Sequence, residues 1–300
     1  MSHYRFRYYS GAADAERQYD LWLRATEGLP RAWRSNMTNV RHCLKGAETH
    51  PQARIYAENA GGELVGYIGT HAPFEWYPGG WTLPFGFPWT HPIDEELESS
   101  LYARMIEITP RTYPGHHRNL YIQRFRESWV RHIAFMLLRG WRRKWRYPIL
   151  SCRVDAFKPG REVAPRPMEP ADLPAVCDFA SSDSHVTKDV EVNALRREFD
   201  EGWLDLSSAW IVPETGAFVL DVRPPWAEVK LCHARPGDAF DTMLRAIAAT
   251  SAKQNVSEIY FTLDEIESER HRALVDRGFE EVDAGVYLVL ELESIPEGRA

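Results

Sequence analysis

The chain has 300 residues, 44% of them hydrophobic and 26% charged, and a formal net charge of -7. This is the composition of a soluble globular protein of about two domains, at roughly 150 residues each. The negative balance gives no general pull toward phosphate backbones, and no run reaches the ~18 apolar residues of a membrane span.

Tyr4 to Tyr9 is an aromatic-rich run of strand character. Ala12 to Thr26 has helical spacing, with Asp14 and Glu16 where acids suit a helix start. A second short helix is expected over Arg31 to Leu44. Ala53 to Tyr67 reads as a hairpin, because Gly61 and Gly62 supply the positive φ of a tight turn. Pro73 to Pro92 is rich in Pro, Gly and aromatics, with a strand expected near Trp81 to Phe87. Asp94 to Ile108 is helical, with Leu97, Leu101, Met105 and Ile108 on one stripe and Pro110 as its stop. Leu120 to Phe125 is a strand, Glu127 to Arg139 an amphipathic helix ended by Gly140, and Tyr147 to Val154 a strand. Arg139 to Arg146 is locally basic and reads as a solvated helix end leading into that strand.

Lys158 to Pro165 reads as a linker, which divides the chain into domains 1–157 and 158–300. The second half repeats the order of the first. A short strand near Arg166 precedes a helix opened by Asp172 and Pro174, and a second helix spans Val190 to Gly202. Strands follow at Ala209 to Val212, Ala217 to Val222 and Ala227 to Leu231. Next come a helix from Asp238 to Lys253, a strand from Glu258 to Leu263, a helix from Glu267 to Arg277 and a strand from Tyr287 to Leu292. The hairpin glycine and the helix-stop glycine lie 78 residues apart in the first half (Gly62, Gly140) and 62 apart in the second (Gly216, Gly278). The surplus matches the aromatic insert after Pro73.

Four segments carry a family resemblance: Arg166 to Val176, Asn59 to Ile68, Glu127 to Trp141 and Glu267 to Phe279. In this order, and twice over, they resemble the GNAT superfamily of N-acetyltransferases. The resemblance implies an α/β (α+β) mixed sheet in each of two tandem domains. It also implies a wedge between the fourth and fifth strands that admits acetyl-CoA or another acyl-CoA. The turn after the fourth strand then offers backbone N–H groups to the pyrophosphate, helped by the helix start behind it.

In the second half Leu231, Cys232, Arg235, Gly237, Asp238 and Ala239 stand at that strand end and turn, and are the expected acyl-CoA contacts. Gly237 and Ala239 match the family's Gly-x-Gly/Ala ending, whereas Ala234 holds its Gln/Arg position and Asp238 is a poor neighbour for phosphate. The segment reads equally as an ordinary turn with an Asp cap. In the first half Trp89 to Glu96 takes this place with no glycine and three successive acids, so ordinary CoA binding is expected to be lost there or to take an altered form. The Tyr that many GNATs place four residues before the final glycine is replaced by Met136 and Leu274.

Amine acylation needs a group to take a proton. Glu228, on the expected fourth strand of the second half, is the first candidate, with a surface glutamate as the bland alternative. His233 at the strand end is the second, with a solvated loop histidine as its alternative. His71, Glu75 and Trp76 follow the third strand of the first half, where acceptor contacts fall. The aromatic insert either lines an acceptor pocket or fills the interface between halves, and the interface is the expectation. The cysteines Cys43, Cys152, Cys177 and Cys232 and the pair His116-His117 show no metal-ligand spacing, so no metal is expected.

The expected function is acyl-CoA-dependent transfer, of acetyl in the simplest case, to an amine of a small molecule or peptide. The alternatives are a non-catalytic GNAT-fold binding protein and an aminoacyl-tRNA-dependent transferase. The acidic balance argues against nucleic acid. With no signal-like N-terminus, and with cysteines that read as buried thiols rather than a disulfide framework, the expected location is the cytoplasm.

Overall fold

A computed structural model describes residues 4–32, 36–77, 80–114, 120–157, 164–183, 191–263 and 268–291. The chain divides into two compact units, Met1–Trp145 with Val286–Ala300, and Arg146–Gly285.

The first unit runs β1 (Arg5–Tyr8), α1 (Ala13–Ala25), α2 (Met37–Thr49), β2 (Arg54–Glu58), β3 (Leu64–Gly69), β4 (Phe74–Tyr77), β5 (Gly80–Pro84), β6 (Trp89–Thr90), α3 (Glu95–Thr112), β7 (Leu120–Arg126), α4 (Val130–Leu137) and the start of β8 (Arg142–Arg153). The second unit holds the rest of β8, then β9 (Arg166–Pro167), α5 (Leu173–Ser182), α6 (Val192–Asp200), β10 (Ala209–Val212), β11 (Gly216–Arg223), β12 (Trp226–Ala234), α7 (Ala239–Ala252), β13 (Glu258–Thr262), α8 (Ser268–Val275) and the start of β14 (Glu280–Glu291). The contact boundaries fall inside β8 and inside β14, and the last residues return to the first unit. A single cut at 157/158 does not reproduce this division, because β8 begins at Arg142 rather than Tyr147 and carries the chain across without a break. Most of the expected linker lies outside the described residues.

In the first unit β1, β2, β3 and β6 form one ladder, antiparallel throughout. The hairpin between β2 and β3 turns where the glycines require it, with Gly62 at φ 78. β4 and β5 are antiparallel, and β5 runs parallel to β7. α3 starts on Asp94, whose carboxylate accepts from the Leu97 N–H at 2.9 Å. It buries Leu97, Leu101, Met105 and Thr109 along one stripe. Pro110 does not stop α3, which continues to Thr112: only the last turn would miss its N–H. The basic segment Arg142 to Arg146 is already strand.

In the second unit β9 to β12 form an antiparallel run, β12 pairs parallel with β13, and β13 pairs antiparallel with β8. Two cores cover its faces. One gathers Phe240, Met243, Leu244 and Ile247 of α7 with Leu274 of α8, over Ala227, Val229 and Cys232. The other gathers Leu173 and Val176 of α5 with Leu195 of α6, over Val219 and Leu231. Each buried aliphatic side chain of that kind contributes about 1.5–3 kcal/mol, so α7 is held by its stripe rather than by its ends.

Candidate functional site

The parallel pairing of β12 with β13 ends at Val229 and Phe261, yet β12 continues along β11 to Ala234. β13 meanwhile stays with β8 through Thr262. The two strands therefore part after one shared stretch and leave a wedge. Lys230 is the extra residue of a bulge, since Leu220 faces Val229 while Val219 faces Leu231. The bulge reverses the alternation of β12. Ala227 and Val229 point to the α7 side but Leu231 points to the α5 side. Glu228 thus shares the α5/α6 face with Leu231.

Glu228 is 3% exposed. It accepts hydrogen bonds from Tyr260 at 3.3 Å and Thr262 at 2.9 Å and pairs with Lys230 at 2.7 Å. His233 is also buried, with its Nδ1 3.8 Å from Asp183. Asp183 ends α5 and accepts from Arg270 of α8 at 2.9 Å and from the Ala234 N–H at 3.3 Å. Arg270 donates in addition to the Cys232 carbonyl at 2.7 Å. A buried ion pair thus satisfies two β12 backbone groups that face the wedge.

β12 leads into an exposed turn, Arg235 to Asp238, where Gly237 has φ 88 and a Cβ there would meet nothing within 4 Å. α7 follows without any side-chain cap on its first N–H groups. Arg235 lies over the Phe179 ring, 5.5 Å from its centroid.

The first unit has a matching wedge. The last ladder bond from the end of β5 to β7 is Phe85 N–H to Ile122 O. The next residue, Gly86, donates instead to Gly69, and Trp89 pairs with Tyr67. Phe87 and Trp89 enter the opening and meet Phe125, Trp129 and His132, with ring centroids 4.6 to 6.1 Å apart for Phe87–His132, Phe87–Phe125 and Trp89–Trp129. Burial, with a smaller push from nearby Arg131, presses the His132 pKa down to about 4. The helix start behind this wedge is occupied by the chain itself, because Asp94 caps α3 and Tyr4 donates to its other carboxylate oxygen.

No family model matches the chain, and neither does any curated protein sequence. Solved structures do. The tandem GNAT protein from the clavulanic acid biosynthesis pathway superposes with a TM-score of 0.64 at 16% identity, over 97% of this chain and 99% of that one. The GCN5-related N-acetyltransferase from Sphaerobacter thermophilus gives 0.58 at 14% identity, over 98% and 97%. That from Kribbella flavida gives 0.54 at 13%, over 96% of this chain and 71% of that chain.

The chain has the tandem GNAT fold.

At these identities the likeness is one of fold, and the chemistry has to be argued from the residues. In this GNAT fold the structure brings Glu228, Leu231, Cys232 and His233 together on one strand, with Arg235, Gly237, Asp238 and Ala239 in the turn and helix start beyond it. His71 lies apart from them, in the first unit, at a cavity described below. Glu75 lies in β4, and the side chains of Glu75 and Trp76 fall outside the described residues, as do His116, His117 and Glu267. The expectation that the aromatic insert fills an interface is corrected at Phe85, Phe87 and Trp89, which belong to the first unit's own core. After Pro84 the chain rejoins β3, so these rings point into the sheet rather than away from it.

Sequence reasoning missed Asp183 and Arg270. They are 87 positions apart, Asp183 lies in no motif, and Arg270 sits in the Glu267 to Phe279 segment at a position the family pattern does not single out. The available signal was an acid and a base on helices packed over the wedge. Among the described residues no group of three or more His, Cys, Asp or Glu could hold a metal ion, and no helix is long and apolar enough to cross a membrane.

Proposed function

We propose that this protein is an acyl-CoA-dependent N-acyltransferase, moving an acetyl or related acyl group to an amine of a small molecule or peptide, with acyl-CoA held by the second unit. One contrast carries the reading. Both wedges end at a helix start, but α3 is capped by its own Asp94, whereas α7 is uncapped behind an open glycine turn. The start of α7, which Asp238 does not cap with its side chain, and the exposed Arg235 suit a pyrophosphate. The bond from the amine nitrogen to the acyl carbon forms as the thioester C–S bond of acyl-CoA breaks, and CoA leaves as the thiolate, which takes up a proton from water. Glu228 beside the bulge is the group placed to take the proton that the amine gives up, and His233 is the second such group along the strand.

Thermal unfolding of the full chain with acetyl-CoA tests this. At 100-fold over the dissociation constant the ligand adds about 2.7 kcal/mol, and Arg235→Glu, on an exposed turn, removes that gain while costing the apo protein only the Phe179 contact. No gain across several acyl-CoAs counts against the proposal.

A second reading, a GNAT-fold protein that binds a ligand without acyl transfer, is favoured by the Arg270–Asp183 pair. In the family, the pantetheine arm pairs with the fourth strand, and here Cys232 O and Ala234 N–H already have partners.

A further inference from the structure

The first unit contains a cavity of about 170 Å³ between α1, α2 and the β3 side of its wedge. The space is smaller than a drug-sized pocket. Tyr19, Trp22, Tyr67, Phe87 and Trp89 form aromatic walls. No aspartate or glutamate is among its described lining residues.

Arg54 is 4% exposed and lines this space. It faces Gly69 across the β2–β3 ladder, and a Cβ at Gly69 would overlap its guanidinium. Glycine there is what lets an arginine fold into the interior. Its Nη2 donates to the Cys43 carbonyl at 3.1 Å, its Nε has no partner, and among the described residues it makes no ion pair. Asn39, 3% exposed on the same lining, likewise has an unpartnered Nδ2. Its Oδ1 faces the Cys43 thiol at 4.0 Å. A buried cation without a counter-charge is expensive, and so is an unmade hydrogen bond at a buried amide. The orphaned atoms are both donors. A carboxylate is acceptor-only, has two oxygens, and carries the charge Arg54 lacks. His71 adds no competing cation: burial, and then the nearby Arg54 and His42, press its pKa down to about 3.

We infer that this cavity binds a small organic carboxylate with an apolar body, with Arg54 as its counter-ion. The inference goes beyond the proposed acyl transfer and does not depend on acyl-CoA binding in the second unit.

Cys43 lines the cavity and is partly exposed, whereas Cys152, Cys177 and Cys232 are buried. Alkylation of Cys43 by iodoacetamide, followed by peptide mass spectrometry on the full chain, therefore reads occupancy without a variant. Benzoate is expected to protect Cys43 with an apparent affinity about tenfold or more above that of benzamide, the ratio one charge-assisted contact gives. Acetate is expected to protect more weakly than benzoate. Arg54→Gln, if folded by its circular dichroism, is expected to lose the preference for benzoate over benzamide. Equal protection by benzoate and benzamide overturns the inference. So does protection by neither benzoate nor acetate, or a folded Arg54→Gln that keeps the preference.

Discussion

Replacing Asp183 by asparagine removes one charge from the pair beside the second wedge while nearly preserving shape. The carboxylate side chain is 1% exposed and the Arg270 side chain 7%, so neither is screened by water. Breaking a buried pair by removing one partner costs about 3–5 kcal/mol, because the other charge stays behind. Arg270 keeps its bond to the Cys232 carbonyl, which places Asp183→Asn near the lower end, about 3 kcal/mol. At ~2.1 cal/mol/K per residue over the ~140 residues of the second unit, that is a fall in Tm of about 10 °C. Differential scanning calorimetry of the full chain reads it as movement of one unit's transition. The double replacement Asp183→Leu with Arg270→Met is expected to recover part of the loss, since it leaves no buried charge but takes the partners from the Cys232 carbonyl and the Ala234 N–H. A fall of less than ~3 °C for Asp183→Asn, or no recovery in the double variant, refutes the view that this pair is buried and closes the β12 edge.

Three other outcomes follow from the same physics. His132 is held neutral, with a folded pKa of about 4 against an ordinary value of 6.5. The unfolded chain therefore binds the extra proton first. Its contribution is complete above pH 6.5 and fades as pH falls toward 4, by up to about 3 kcal/mol; urea titrations at both pH values should show His132→Phe losing less in acid than the unaltered chain. Arg7 bridges two buried acids, Asp14 at 2.6 Å and Glu58 at 2.8 Å. Arg7→Ala should cost about 3 kcal/mol by urea unfolding, and Arg7→Lys less. Gly216→Ala should destabilise the second unit by more than ~1 kcal/mol, since a Cβ there meets the His233 carbonyl and the Met243 sulfur at 3.0 Å; a neutral result in thermal melts would show that β11 and β12 are farther apart than described.

Much of the fold was legible because local physics writes it twice. The glycines at 62, 140 and 278 all take positive φ, as a hairpin turn and two helix exits demand. The stripe Met243, Leu244 and Ile247 announces α7, and acids after Asp94 announce α3. What was not legible depends on partners distant in sequence. The bulge at Lys230 arises from the register with β11, and nothing in Val229-Lys230-Leu231 marks it. β8 and β14 run longer than their apolar residues suggest because ladder bonds, not side chains, extend them. Arg54 looks like a solvent-facing strand residue until Gly69 is seen opposite it. Phe87 and Trp89 read as generic aromatics because only the parting of strands after Phe85 makes room for them.

The central claim is that the fold presents two wedges, of which the second can receive the phosphates of acyl-CoA. Hydrogen exchange of the full chain with and without acetyl-CoA tests it directly. The expected result is slowed exchange at the amides of Gly237 to Asp241, with Glu95 to Leu97 unchanged. Slowing confined to Glu95 to Leu97, or at neither helix start, contradicts it.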